Sequence, residues 1–88
     1  MFSLHKNSDE LTKKLIRSIV QELDSVQHTS LRLTAEKESI KHDETLSEDE
    51  QVLQVTLIER SLHNLSKTQE VLLTRKSYYE NKLTNERK

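Results

Sequence analysis

From residue 11 onward, apolar side chains recur at alternating spacings of three and four. Ile16, Leu23, Ser30 and Lys37 occupy one heptad position, and Ile19, Val26, Leu33 and Ile40 the position three further on. A second run obeys the same rule, with Val55, Leu62, Gln69, Lys76 and Leu83 at a and Ile58, Leu65, Leu72 and Tyr79 at d. Such a repeat lines one face of a helix and forms a coiled-coil seam. Strand alternation fits neither run. The rhythm stops only in residues 39–51, SIKHDETLSEDEQ, where Leu46 is the sole apolar residue between Ile40 and Val52. Carrying the first phase through this stretch makes Gln51 an a position, whereas the second run requires it at d.

This break predicts a turn. Ser47 followed by Glu50 is a capping box, in which the hydroxyl accepts from a free N–H of the first helical turn and the Glu reaches back to the cap. Glu48, Asp49 and Glu50 also suit the positive end of a helix dipole. Asn7-Ser8-Asp9-Glu10 offers a similar start for the first helix. The expected organisation is a flexible N-terminus over 1–7, then an all-α, antiparallel two-helix hairpin over 8–88. Its parts are a helix over 8–41, a turn over 42–46 and a helix over 47–86. The rival is one long continuous helix in a coiled coil, with the phase shift absorbed as a stutter. The hairpin is favoured because the loss of apolar residues and the capping box coincide.

Folding about residue 44 sets Leu33 against Val55, Val26 against Leu62, Leu23 against Leu65 and Ile16 against Leu72. Folding about residue 47 or 48 instead sets Val26 against Gln69 and Ile19 against Lys76. The first register is preferred because each of its pairs is apolar. The expected hairpin core is Ile16, Ile19, Leu23, Val26, Leu33, Val55, Ile58, Leu62, Leu65 and Leu72. Polar residues within the seam cost stability but restrict register and partner choice.

Two helices do not use all the apolar residues. Leu53, Leu57, Val71 and Tyr78 form a second stripe on the later helix, and Leu11, Leu15, Val20 and Leu31 lie outside the seam of the earlier one. Apolar residues recurring on a second face imply further helices. Leu53, Leu57, Val71, Tyr78, Leu11, Leu15 and Val20 are therefore the expected partner-binding residues. The expected partners are other helical protein subunits, with hetero-oligomers favoured over homo-oligomers.

Composition sharpens this picture. The 88 residues include no Gly and no Pro, where average usage gives about 6 and about 4. Sheet turns and Gly-rich phosphate loops lean on those residues, whereas long helices need neither. Eighteen residues are Ser or Thr, which are mediocre helix formers, so packing must supply most of the stability. The net charge of −1 argues against a general polyanion binder, leaving nucleic acid and membranes as disfavoured partners. The charge is nevertheless polarised. Residues 36–50 carry seven acids and two bases; residues 1–20 carry four bases and two acids, and residues 71–88 five bases and two acids. A hairpin then has an acidic turn end and a basic open end.

Little in the chain points to chemistry. There is no Cys, and His5, His28, His42 and His63 include no pair at the spacing that puts two ligands on one helix face. A thin hairpin offers no concave pocket, so no enzyme activity, cofactor, metal or small-molecule ligand is expected. Ser47 is read as a helix cap, with a phosphorylation site as the alternative because acids follow it. No apolar run suits a signal peptide or a membrane span, so an intracellular, cytoplasmic or nuclear location is expected. Arg75-Lys76-Ser77-Tyr78-Tyr79 mixes bases with aromatics, but its periodicity reads as packing.

The expected function is that of a non-enzymatic structural or scaffold subunit in a multi-protein coiled-coil complex. In shape alone such a hairpin is similar to subunits of kinetochore-microtubule and organelle-trafficking complexes. The alternatives are a small adaptor or co-chaperone that masks a partner helix, and a nucleic-acid-associated accessory factor.

Overall fold

A computed structural model describes residues 4–86 as two helices, α1 (Leu4–Lys41) and α2 (Glu48–Glu86), with no strand among the described residues. They pack side by side as an antiparallel hairpin measuring 69 × 15 × 15 Å. A single helix of this chain would run to roughly 120 Å at 1.5 Å per residue. The fold is thus the hairpin and not the continuous helix.

Hydrogen bonds of the intervening residues show how α1 stops. The His42 and Asp43 N–H groups donate to the carbonyls of Ser39 and Ile40, at 3.3 and 3.2 Å, tightening the last turn to a three-residue spacing. Leu46 N–H then donates to the Asp43 carbonyl at 3.3 Å, reversing the chain. The Asp43 carboxylate accepts from Thr45 N–H at 2.9 Å and from the Thr45 hydroxyl, an Asx turn that replaces backbone pairing. Asp43 thus contributes both its main chain and its side chain to the reversal. No non-glycine residue has a positive φ among the described residues. The turn therefore needs no glycine, and its absence from the sequence costs nothing here.

Ser47 sits immediately before α2, so the turn covers 42–47 and is one residue longer than the sequence indicates. The Ser47 hydroxyl accepts from Glu50 N–H at 3.2 Å, and the Ser47 carbonyl accepts the first helical bond, from Gln51 N–H at 2.9 Å. This is an N-cap, with Glu48, Asp49 and Glu50 in the first turn where the dipole favours acids.

Two further expectations change. α1 begins at Leu4 rather than at Ser8, so Asn7-Ser8-Asp9-Glu10 lies inside the helix and not at its start. The expected N-terminal segment lies outside the described residues only over 1–3. The register also differs. Lys37 of α1 bridges to Glu59 of α2, and the Gln51 side chain donates to the Asp43 carbonyl at 2.7 Å. One groove beside the seam is lined by Lys13, Ile16 and Arg17 with Glu80, Leu83 and Thr84. These contacts fit the register that sets Val26 against Gln69 and Ile19 against Lys76, one heptad away from the preferred one.

The observed register covers the ends of the seam. In the observed register Ile40 comes level with Val55, Leu33 with Leu62, Leu23 with Leu72, Ile16 with Tyr79 and the buried Thr12 with Leu83. In the other register Ile40 faces Glu48 and Tyr79 faces Asp9. Ile40, Tyr79 and Leu83 are all partly buried. The turn permits this by carrying the start of α2 past the end of α1, so that Gln51 lies level with Asp43.

Candidate partner-binding surface

The seam is populated as the heptads require. Ile19 and Val26 are 8% and 7% exposed, and Ile16, Leu23, Leu33, Val55, Ile58, Leu62, Leu65 and Leu72 are half-buried. Thr12 is also buried, at a d position one heptad before Ile19. No large side chain is fully enclosed among the described residues. Two helices shield each other on one side only, and this limits every seam residue.

The polar seam residues follow the same rule. Lys37 and Lys76 lay their stems along the seam and carry their ammonium groups outward, to Glu59 at 4.0 Å and to Glu80 at 3.2 Å. Gln69 stays exposed beside Val26. Mid-helix threonines are satisfied within their own helix, as the Thr34, Thr74 and Thr84 hydroxyls donate to the carbonyls of Ser30, Glu70 and Glu80.

The chain exposes 7146 Å², whereas a compact monomer of 10.4 kDa would expose about 5,400 Å². Leu11, Leu15, Val20, Leu31, Val52, Leu53, Leu57, Val71, Leu73 and Tyr78 are all exposed, Leu57 by 50% and Tyr78 by 62%. All seven of the expected partner-binding residues thus lie on the outside of the hairpin.

Their heptad positions divide them. Leu15 is at g and Leu11 at c, on the same side of α1 as Ser18 and Glu22. Leu57, Val71 and Tyr78 are at c on α2, next to the g position of Arg75. In an antiparallel pair the two g sides adjoin. Accordingly a shallow cleft is lined by Leu15, Ser18, Ile19 and Glu22 of α1 with Leu72, Arg75 and Tyr79 of α2. Leu11, Leu15, Leu57, Val71 and Tyr78 therefore share one flank of the hairpin, with Leu53 turned further outward at f. Val20 does not join them. It lies at e, on the opposite flank, with Val52 and Leu73. Heptad phase alone separates these sides, and Val52 and Leu73 were absent from the residues expected to bind.

Tyr78 is the last apolar residue of the stripe on α2. Its ring meets that of Tyr79 edge to face, with centroids 5.4 Å apart and planes at 70°. Tyr79 is held in the seam, so this contact orients the exposed Tyr78 ring. A second shallow cleft, lined by Tyr78, Asn81, Lys82 and Asn85, continues the flank toward the end of α2.

The charges are placed as the hairpin requires. Glu36, Glu38, Asp43, Glu44, Glu48, Asp49 and Glu50 collect around the turn, and Lys13, Lys14, Arg17, Arg75, Lys76 and Lys82 around the open end. The Thr45 hydroxyl and then the Thr45 N–H, both donating to Asp43, hold its carboxyl below the ordinary aspartate value, against a smaller opposing effect of desolvation. Among the described residues no His, Asp or Glu cluster could hold a metal ion, and no helix is long and apolar enough to cross a membrane. Ser47 carries out the capping role expected of it.

No protein family, curated protein or solved structure matches this chain.

Proposed function

We propose that this chain is a non-enzymatic structural subunit that works by helix–helix packing within a multi-chain coiled-coil assembly. The observation that carries the proposal is the apolar flank of Leu11, Leu15, Leu57, Val71 and Tyr78, left open on a hairpin whose own seam encloses almost nothing. Isolated surface leucines are ordinary. Leu57, Val71 and Tyr78 instead stand at one heptad position of one helix, the spacing at which another helix packs. The turn in this reading is a structural device, and function resides in the length and flank of the rod.

The test is recovery of assemblies from the native cell with tagged wild-type chain and with a Leu57→Asp, Val71→Asp variant. The variant is expected to lose its stable partners while its far-ultraviolet helicity stays close to wild type, because neither residue belongs to the seam. Equal recovery of the same partners by both chains would overturn the proposal.

A further inference from the structure

We infer that the occupant of the apolar flank is a second copy of this chain, packed antiparallel to the first as a four-helix bundle. The inference rests on the function proposed above and names its partner.

Three observations converge on it. The first is area. The hairpin presents a face of 69 by 15 Å, about 1,000 Å², and a stable interface takes about 800 Å² from each partner.

The second is charge. The turn end is acidic and the open end basic. Two hairpins laid face to face in the same direction put acid on acid and base on base. Laid in opposite directions, each acidic end meets a basic end along the full rod. Of the two-fold arrangements that bring the same flanks together, charge selects the antiparallel one. In it α2 lies along α2 of the second copy and α1 along α1.

The third is the self-complementarity of the stripe. Leu57, Asn64, Val71 and Tyr78 follow one another at heptad spacing on α2. A two-fold axis crossing α2 midway along this stripe sets Leu57 against Tyr78 of the second copy and Asn64 against Val71. The same axis brings Glu50, in the acidic first turn of α2, opposite the region of Lys82 in the second copy. Within one hairpin these two residues are far apart, separated by roughly 48 Å of helix. Any energetic coupling between them reports a contact between copies.

Sedimentation of the purified full-length chain tests the inference, at low and at high salt, with Lys82→Glu, Glu50→Lys and the double swap. Helicity recorded for each variant identifies any that fails to fold, and the salt series on the wild type does not depend on the variants. The expected wild type is a dimer that weakens as salt rises. Each folded single variant is expected to weaken it by about tenfold, and the double swap to restore it. A wild type that stays monomeric at about 100-fold above typical micromolar affinities would overturn the self-association. Such a result leaves the proposed function intact if the Leu57→Asp, Val71→Asp variant still loses its partners in cells. A dimer that strengthens with salt, or in which the folded double swap restores nothing, would overturn the antiparallel arrangement.

Discussion

Lys37 Nζ on α1 lies 4.0 Å from Glu59 Oε1 on α2, which fixes these two residues at a common height along the hairpin. The pair itself adds little stability, since Glu59 is largely exposed and such bridges are worth about 0–1 kcal/mol. Its value is positional. It discriminates between two registers that differ by one heptad, or roughly 10 Å along a helix.

Cysteine pairs check the register directly. Leu33→Cys with Leu62→Cys is expected to form a disulfide readily on mild oxidation. Leu33→Cys with Val55→Cys should not, because one heptad of displacement exceeds the roughly 7 Å limit between bridged Cα atoms. Non-reducing electrophoresis and peptide mapping of monomeric, dilute protein distinguish the two. Cross-linking of the second pair alone would reverse the assignment.

Gln69 leaves a gap in an otherwise apolar stretch of α2. It lies level with Val26, which is buried. Gln69→Leu is expected to stabilise the hairpin by about 1 kcal/mol through added burial. For a chain of this size that corresponds to a rise of roughly 4–8 °C in the thermal midpoint. The same change at exposed Lys67 should have no comparable effect. By contrast Ile19→Ala should cost about 2 kcal/mol, the lower end for a core truncation, because the seam is open on its sides.

At the start of α2, Ser47→Ala removes the acceptor for Glu50 N–H. A loss of about 1 kcal/mol is expected in denaturant titration, with Ser47→Asp retaining most of it. Partner recovery should be unchanged by either substitution when the variants are assayed below their unfolding transition. Reduced recovery with unchanged stability would give Ser47 a role beyond capping.

The turn also predicts an acid response. Because the Asp43 carboxyl titrates below its ordinary value of 3.8 when folded, its bonds to Thr45 contribute stability above that value. The contribution declines as pH falls below 3.8 and is gone once pH passes below the folded value. Asp43→Asn should flatten this part of a stability profile recorded between about pH 5 and pH 2. An unaltered profile would show that the bonds to Thr45 do not persist in solution.

Much of this architecture is legible in the residues. The two heptad runs, the phase break and Ser47 before Glu50 announce two helices and the turn between them. The partly buried seam and the seven exposed apolar residues follow from the same periodicity. Register is harder to read because sliding α2 by one heptad keeps every a residue against a d residue. The apolar matches of the register folded about residue 44 look better along the middle of the seam, and only its ends, through Ile40 and Tyr79, favour the observed one. The start of α1 is obscured for a related reason. Asn7-Ser8-Asp9-Glu10 resembles a cap, yet nothing in Leu4–Asn7 breaks a helix. Val20 lies outside the seam just as Leu11 and Leu15 do, and only its e position, against their c and g positions, puts it on the other flank.

The single short turn has a kinetic consequence. Nearly all backbone hydrogen bonds here are local, and the two helices are joined by six residues, 42–47. Closing so short a connection takes on the order of 10–100 ns, and helical proteins of low contact order fold in microseconds to milliseconds. With no proline in the chain, no isomerisation phase of tens of seconds accompanies this step. Refolding of dilute protein should therefore be a single fast phase, and any slower phase that grows with protein concentration measures association.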